Sequence, residues 1–211
     1  MMKLCGHTID ETLLEESPVV LDVGSRNYAF AGEILSLRPQ ARVVCVEPDP
    51  ECPLPPGEQP QTDAGSHPRI TLINKALVGV YRENAPYCFY STGEGNYLNI
   101  YPWFNPNPGL LVDVPCITMN GLCVETGISH WDLVKLDCEG AEFEVLENWP
   151  GSTWADQISV EFHDFTSLFR HNDKYYEELF ASLKPYRVRL HEITEIGPGK
   201  ARGHWDSLVT L

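Results

Sequence analysis

Residues 18–48 read PVVLDVGSRNYAFAGEILSLRPQARVVCVEP, and this stretch decides the fold. Residues 18–23 are apolar, largely β-branched and short, and they stop at Gly24. Residues 42–46 (RVVCV) are similar and stop at Glu47-Pro48. Between them Phe30, Ile34 and Leu37 recur at helical spacing within residues 28–37, and Pro39 ends the run. The pattern is strand, turn, helix, strand. Two strands apolar on both faces need helices on both sides, which predicts a parallel sheet with a right-handed crossover.

The rest of the chain extends this unit. Residues 48–68 are proline-rich and read as a surface loop; strand signals resume over residues 70–77, 87–90 and 112–118. Residues 131–137 (WDLVKLD) and 158–163 (ISVEFH) are further strands, with a helix over 141–149 that turns Val145, Leu146 and Trp149 inward. An amphipathic helix over 172–183 begins at Asn172 or Asp173 and stops before Pro185. Residues 186–193 and 205–211 form a closing strand pair about the turn Gly197-Pro198-Gly199. Residues 1–17 are expected to be an N-terminal helical extension of one domain spanning residues 1–211. Residues 91–111 carry Tyr97, Tyr101, Trp103 and Phe104 among glycines, asparagines and prolines, which marks a candidate lid over an acceptor site. The sum is a three-layer α/β domain.

Bulk properties narrow the function. A chain of 211 residues buries one sizeable core. Its formal charge of −15 repels phosphate backbones and anionic lipids, so no nucleic-acid partner and no membrane partner are expected. No run approaches the ~18 apolar residues of a membrane span, and the start of the chain turns acidic before a secretory apolar core forms, so a cytoplasmic location is expected. The 7 cysteines are odd in number, lack a CxxC pair and lie partly in apolar runs, which fits reduced core thiols.

Ligands of open α/β sheets bind at the carboxyl tips of the strands. A dinucleotide fingerprint would need glycines where Arg26 and Ala29 stand, which disfavours NAD and FAD. Glu47 stands where an acid accepts from a ribose diol, and a ribose without a pyrophosphate points to a nucleoside such as S-adenosylmethionine. Cofactor contacts are expected from Asp22, Gly24, Ser25, Arg26, Glu47, Pro48, Ala76 and Asp137. Strand alternation places Lys135 and Asp137 on one face, and Glu161 and His163 on one face. If the two strands are neighbours, the four form one polar cluster. His163 is the first choice of proton acceptor and Asp137 the second, because imidazole titrates near neutrality; Lys135 pairs with Asp137, Glu139 or Glu161, and Glu139 joins the catalytic set. The same groups alternatively form a buried ion-pair network that orients loops. Tyr97, Tyr101, Trp103 and Glu161 are the expected acceptor contacts. His7, His67, His130, His171, His191 and His204 read as surface or satisfied core residues.

Five strings carry a resemblance: VVLDVGSRN (19–27), VVCVEPDP (43–50), ITLINKALVG (70–79), VPCITMNGL (114–122) and LVKLDCEGAEFEVL (133–146). They resemble the FkbM-type S-adenosylmethionine-dependent methyltransferases, most specifically at Lys135, Asp137, Glu139, Gly140 and Glu142. The resemblance implies a Rossmann-like, mostly parallel seven-stranded sheet with an antiparallel last strand and helices on both faces. It implies methyl transfer, commonly to a hydroxyl on a sugar or natural product, with a small-molecule or peptide acceptor. Asp137, His163 and Asp164 offer metal-ligand chemistry, but the resemblance does not particularly imply a metal and none is expected. The chain departs from the family's usual G-x-N-x-G first turn, having Gly24, Arg26 and Tyr28. Arg26 either neutralises the cofactor's carboxylate or faces solvent. Two rivals stay open: N-methylation of an amide or amine, and a non-catalytic cofactor-binding module.

Overall fold

The structure is a computed structural model that describes residues 1–49, 69–81, 88–91, 96–99, 111–138, 140–151, 154–163, 173–183, 186–193 and 204–210. It opens with a hairpin of β1 (Met2–Leu4) and β2 (His7–Ile9), joined by Cys5 and Gly6 at φ 47° and 91°. Two successive positive φ values match the twist of a two-residue hairpin turn. The helical extension expected over residues 1–17 is therefore corrected to a hairpin and one short 3-10 turn, Glu11–Leu13, whose first amides Asp10 caps.

Next come β3 (Val19–Val23), α1 (Ala29–Leu37), β4 (Arg42–Val46), β5 (Ile70–Ile73) and β6 (Ala76–Leu77). They are followed by β7 (Cys88–Ser91), β8 (Asn96–Asn99), β9 (Leu111–Asp113), β10 (Cys116–Ile117) and α2 (Met119–Thr126). The chain finishes with β11 (Leu133–Leu136), α3 (Glu142–Glu147), β12 (Gln157–His163), α4 (Asp173–Ser182), β13 (Arg187–Ile193) and β14 (His204–Thr210).

The main sheet has 7 strands in the order β13-β14-β12-β11-β3-β4-β5. Every pairing from β12 to β5 is parallel, and β14 runs antiparallel to both of its neighbours. This is the Rossmann-like sheet with an antiparallel last strand. From β3 the chain steps outward through β4 to β5, then returns to place β11 on the other side of β3. The strand order thus reverses between β3 and β11, and a crevice opens at such a point.

Side chains alternate between two cores. On one face Leu21, Val23, Val44, Val46, Val134, Leu136, Val160 and Phe162 pack with residues of α2, α3 and α4. On the other, Val20, Val43, Cys45 and Leu133 pack with α1 and the N-terminal hairpin. The hairpin is tied to β12 by a reciprocal pair: Asp10 N donates to Gln157 Oε1 at 2.8 Å, and Gln157 Nε2 donates to Asp10 O at 3.1 Å. These groups are buried, so each pairing removes an otherwise costly desolvated donor.

Three further expectations change. Residues 70–77 divide into β5 and β6, and β6 leaves the main sheet to pair with β10. Helix α2 lacks a strong apolar stripe and was not expected; it is bounded instead by Thr118, whose Oγ1 accepts from Gly121 N, and by Gly127 at φ 70°. The segment 91–111, expected as a loop, contains β8, which pairs with β7 in a three-stranded antiparallel sheet. Residues 100–110, Asn172 and the turn at 197–199 lie outside the described residues. Among the described residues no helix is long and apolar enough to cross a membrane. Cys5, Cys45, Cys116, Cys123 and Cys138 are free thiols.

Candidate functional site

A cleft of about 280 Å³ lies at the reversal point, over the carboxyl tips of β3, β4 and β11. Glycine is required at its floor. Gly24 sits at φ 73°, and a Cβ there would stand 1.7 Å from the carbonyl oxygen of Asp137. The first turn and the β11 tip therefore touch backbone to backbone. Gly24 N also donates to Val46 O at 2.9 Å, locking the turn against β4.

Glu47 is almost fully buried at one end of the cleft. Its Oε2 accepts from Arg26 N at 2.8 Å and its Oε1 accepts from Asp49 N at 3.0 Å. A carboxylate has about four lone-pair sites, so acceptor capacity remains for a ligand. Burial pushes the Glu47 carboxyl up from the usual range, and the two amide hydrogen bonds only partly offset that. Arg26 adopts φ 41° and Tyr28 φ 59°, left-handed positions that most side chains resist. Tyr28 starts α1 there, with its N–H donating to Ser25 O. Ser25 Oγ is buried on the cleft wall with no hydrogen-bond partner among the described residues.

Of the expected cofactor contacts, Gly24, Ser25, Arg26, Glu47, Pro48, Ala76 and Asp137 line the cleft. Asp22 does not. Its side chain is fully buried beneath, where Lys135 Nζ reaches Oδ1 at 3.2 Å. Lys135 also meets Asp137 Oδ2 at 3.3 Å and donates to the carbonyls of Val23 (3.1 Å) and Gly24 (2.9 Å). Burial works against its charge, but Asp22 and then Asp137 outweigh it and hold the ammonium above its ordinary pKa. With its donors so engaged, Lys135 fastens the first turn to the β11 tip and stays charged. Of the expected alternatives Asp137, Glu139 and Glu161, Asp137 is a partner and Asp22 is an additional one; Glu139 lies outside the described residues.

β11 and β12 are neighbours, so the condition for a polar cluster is met. His163 is buried, with Nδ1 at 3.0 Å from Glu142 Oε1. A carboxylate only accepts, so Nδ1 carries the proton in this pair and Nε2 is the ring nitrogen turned to the rest of the cluster. That Nε2 stands 3.8 Å from Asp137 Oδ1 and 3.8 Å from Glu161 Oε1. Glu142 is fully buried and also accepts from Cys138 N at 2.8 Å and Gly140 N at 3.0 Å. It therefore holds both the β11–α3 loop and the imidazole, a role beyond favouring its helix's first turn. Burial, reinforced by Glu142 and Asp137, pushes the Cys138 thiol well above its usual pKa, which makes it a poor nucleophile.

His7 goes beyond its expected role. Read from sequence as a surface or satisfied core residue, it is 2% exposed, lines the cleft, and places Nε2 at 3.5 Å from Asp137 Oδ2 and 3.7 Å from Glu161 Oε2. Phe30 packs edge-on against its ring, and Nδ1 lies 3.5 Å from Ser159 Oγ. The signal was present: Cys5-Gly6 between two short β-prone runs marks a hairpin turn, which aims the next residue back across the sheet. Burial opposes ionisation of Asp137, but the neighbouring His7 imidazole and the Lys135 charge outweigh it and hold that carboxyl well below its usual range. Of the expected acceptor contacts, Glu161 belongs to this cluster and Tyr97 lies on β8, whereas Tyr101 and Trp103 fall outside the described residues.

Comparison with known proteins follows from this geometry. The model of the methyltransferase FkbM domain matches residues 22–184. The 2-O-methyltransferase NoeI of Sinorhizobium fredii is 28% identical over 152 residues, and the match spans 64% of this chain and 59% of that relative. Among solved structures, the antibiotic-resistance methyltransferase Kmr aligns with 95% of this chain and 91% of its own at 13% identity and a TM-score of 0.46. The precorrin-6y C5,15-methyltransferase of Geobacter metallireducens aligns with 94% of this chain and 81% of its own at 12% identity and a TM-score of 0.41.

Proposed function

The chain belongs to the FkbM methyltransferase family, and from that premise we propose that it methylates a hydroxyl of a small molecule, sugar or natural product, using S-adenosylmethionine. The observation that carries the proposal is the layout of one cleft, lined by a ribose-competent carboxylate, Glu47, beyond the tip of β4 and by His7 and Asp137 on the β11 side, with the tip of β3 between them. The relative NoeI, a 2-O-methyltransferase, supports oxygen as the acceptor atom.

The residues fit a nucleoside. Glu47 retains acceptor capacity for a ribose diol, Ser25 Oγ is a buried hydroxyl lacking a partner among the described residues, and Gly24 gives backbone access at the turn. Ala76, Leu77 and Phe30 supply apolar wall. Bound there, S-adenosylmethionine supplies an electrophilic methyl group on a sulfonium. The negative charge of Asp137 favours a cation at its end of the cleft. Arg26, at the cleft wall, is suited to a carboxylate.

Removal of the acceptor's proton falls to His163. Glu142 fixes its tautomer, so Nε2 is the basic atom, and the carboxylates of Asp137 and Glu161 on either side orient an incoming hydroxyl. This is the arrangement of a base held by a buried acid. Lys135 keeps Asp137 ionised and holds it against the first turn, which fixes the distance between the two ends of the cleft.

Incubation with methyl-labelled S-adenosylmethionine and a panel of hydroxylated sugars and natural products, followed by mass spectrometry, tests the reading. An O-linked label that disappears in His163→Ala is expected. A label found only on nitrogen would replace the acceptor class, and calorimetry showing no binding of cofactor or its demethylated product would leave a non-catalytic domain.

A further inference from the structure

His7, Asp137 and Glu161 offer one imidazole nitrogen and two carboxylate oxygens that lie within 4.8 Å of one another. The three come from β2, the tip of β11 and β12, so they are brought together by tertiary structure rather than by sequence proximity. Their separations are informative. His7 Nε2 stands 3.5 Å from Asp137 and 3.7 Å from Glu161, which is long for a charge-assisted hydrogen bond, normally about 2.7–2.9 Å. Two ligands bonded at about 2.1 Å to one tetrahedral ion are held about 3.4 Å apart. The two edges at His7 are close to that spacing.

The surroundings are those of a metal ligand set as well. His7 is buried, with its ring braced by Phe30 and its other nitrogen facing Ser159 Oγ, so the Nε2 direction is fixed. Asp137 and Glu161 have side chains 26% and 27% exposed, so the side of the cluster away from His7 is open to an incoming oxygen. Among the described residues Lys135 is the one ammonium set against both Asp22 and Asp137, an arrangement that suits a further cation at the cluster.

We infer that His7, Asp137 and Glu161 form a binding site for a divalent first-row transition ion of the Mn²⁺ or Zn²⁺ type, at the acceptor end of the cleft. An N,O,O donor set suits such ions better than thiophilic ones, and an incomplete protein ligand set leaves coordination positions for a substrate hydroxyl. An ion there lowers the pKa of a bound hydroxyl, so that His163 receives a proton already weakened. The inference deepens the methyl-transfer reading and rests on it for its role, although the site itself is defined by geometry alone.

The test uses the full chain, stripped with chelator and titrated with Mn²⁺ while the electron paramagnetic resonance signal of the free ion is followed. Mn²⁺ is chosen because it binds thiols weakly and so ignores the free cysteines. Saturation at one ion per chain is expected, with affinity reduced about tenfold or more in His7→Ala and in Glu161→Gln. His130→Ala, which removes an exposed imidazole paired with Asp156 elsewhere on the surface, should leave binding unchanged. Thermal melts of each variant identify any loss caused by unfolding; Glu161→Gln, at the more exposed ligand, carries the test if His7→Ala melts early. Absence of saturable binding, or binding indifferent to both ligand variants, overturns the inference. Calorimetry with S-adenosylmethionine is run on the same samples. Cofactor binding without Mn²⁺ binding sinks the metal site and leaves methyl transfer standing, whereas Mn²⁺ binding without cofactor binding does the reverse.

Discussion

Lys135→Met removes the ammonium that Asp22 faces from a fully buried position, and the consequence for stability follows from that burial. Methionine retains most of the aliphatic stem, so packing changes little and the loss is electrostatic. Asp22 is left ionised without a counter-charge in the core, and the carbonyls of Val23 and Gly24 lose a charged donor. Breaking one side of a buried pair costs about 3–5 kcal/mol. In a chain of this length each kcal/mol moves Tm by about 2–4 °C, so Lys135→Met should melt roughly 6–20 °C below the parent. Asp22→Leu should also destabilise, by stranding the ammonium against Asp137 alone. The double variant Lys135→Met/Asp22→Leu should recover about 2 kcal/mol or more relative to the sum of the singles, since an apolar pair replaces the ionic one among Val20, Val43 and Cys45. Urea unfolding followed by tryptophan fluorescence measures all four corners, with Trp131 buried in the core as one reporter. Additivity of the two singles within about 0.5 kcal/mol would refute the idea that Lys135 and Asp22 stabilise the fold as a pair.

Gly24→Ala should abolish cofactor binding by calorimetry, because the new Cβ collides with the Asp137 carbonyl and the residue must hold φ 73°; retained affinity would show that the turn is not the ligand's floor. Glu47→Gln should weaken S-adenosylmethionine binding about tenfold or more, the worth of a hydrogen bond to a charged acceptor, and an unchanged dissociation constant would place the ribose elsewhere. Asp137, held below its usual range in the folded chain, contributes stability that is complete above the unfolded aspartate pKa of about 3.9 and fades as pH falls below it. Denaturant melts from pH 5 downward should therefore show an acid limb that is shallower in Asp137→Asn, and identical limbs would refute that assignment.

The central β–α–β unit and most of the main sheet were legible because two-sided burial writes itself as continuous apolar runs. The placement of Glu47, Lys135, Asp137, Glu161 and His163 at strand tips was legible for the same reason, since period-2 alternation fixes which side chains share a face. Two site residues were legible only in part. His7 lies more than a hundred residues from Asp137 in sequence, and nothing local reveals that the Asp10–Gln157 amide pair moors its hairpin on β12. Glu142 reads as an ordinary first-turn acid on a helix, and only the folding of the β11–α3 loop around it shows a buried carboxylate taking two amides and an imidazole. Helix α2 was missed because its caps, and not its apolar pattern, define it.

Among the described residues, five carboxylates at the strand tips are compensated unequally, and that inequality gives the site its direction. Glu47 accepts from two backbone amides and keeps acceptor capacity for sugar hydroxyls, while burial pushes its carboxyl up from the usual range. Glu142 is hydrogen-bonded by two amides and His163, and Asp22 is paired with Lys135. Asp137 must share that same lysine, and Glu161 meets imidazoles at 3.7–3.8 Å. Asp137 and Glu161 thus set carboxylate oxygens on the β11 side of the cleft, beside Nε2 of His163. A sulfonium or a metal ion would be drawn there for the same physical reason, and a ligand that loses its positive charge on reaction would be held less tightly at that end. The electrostatic layout thus favours the charged reactant over its neutral product before any substrate-specific contact is made.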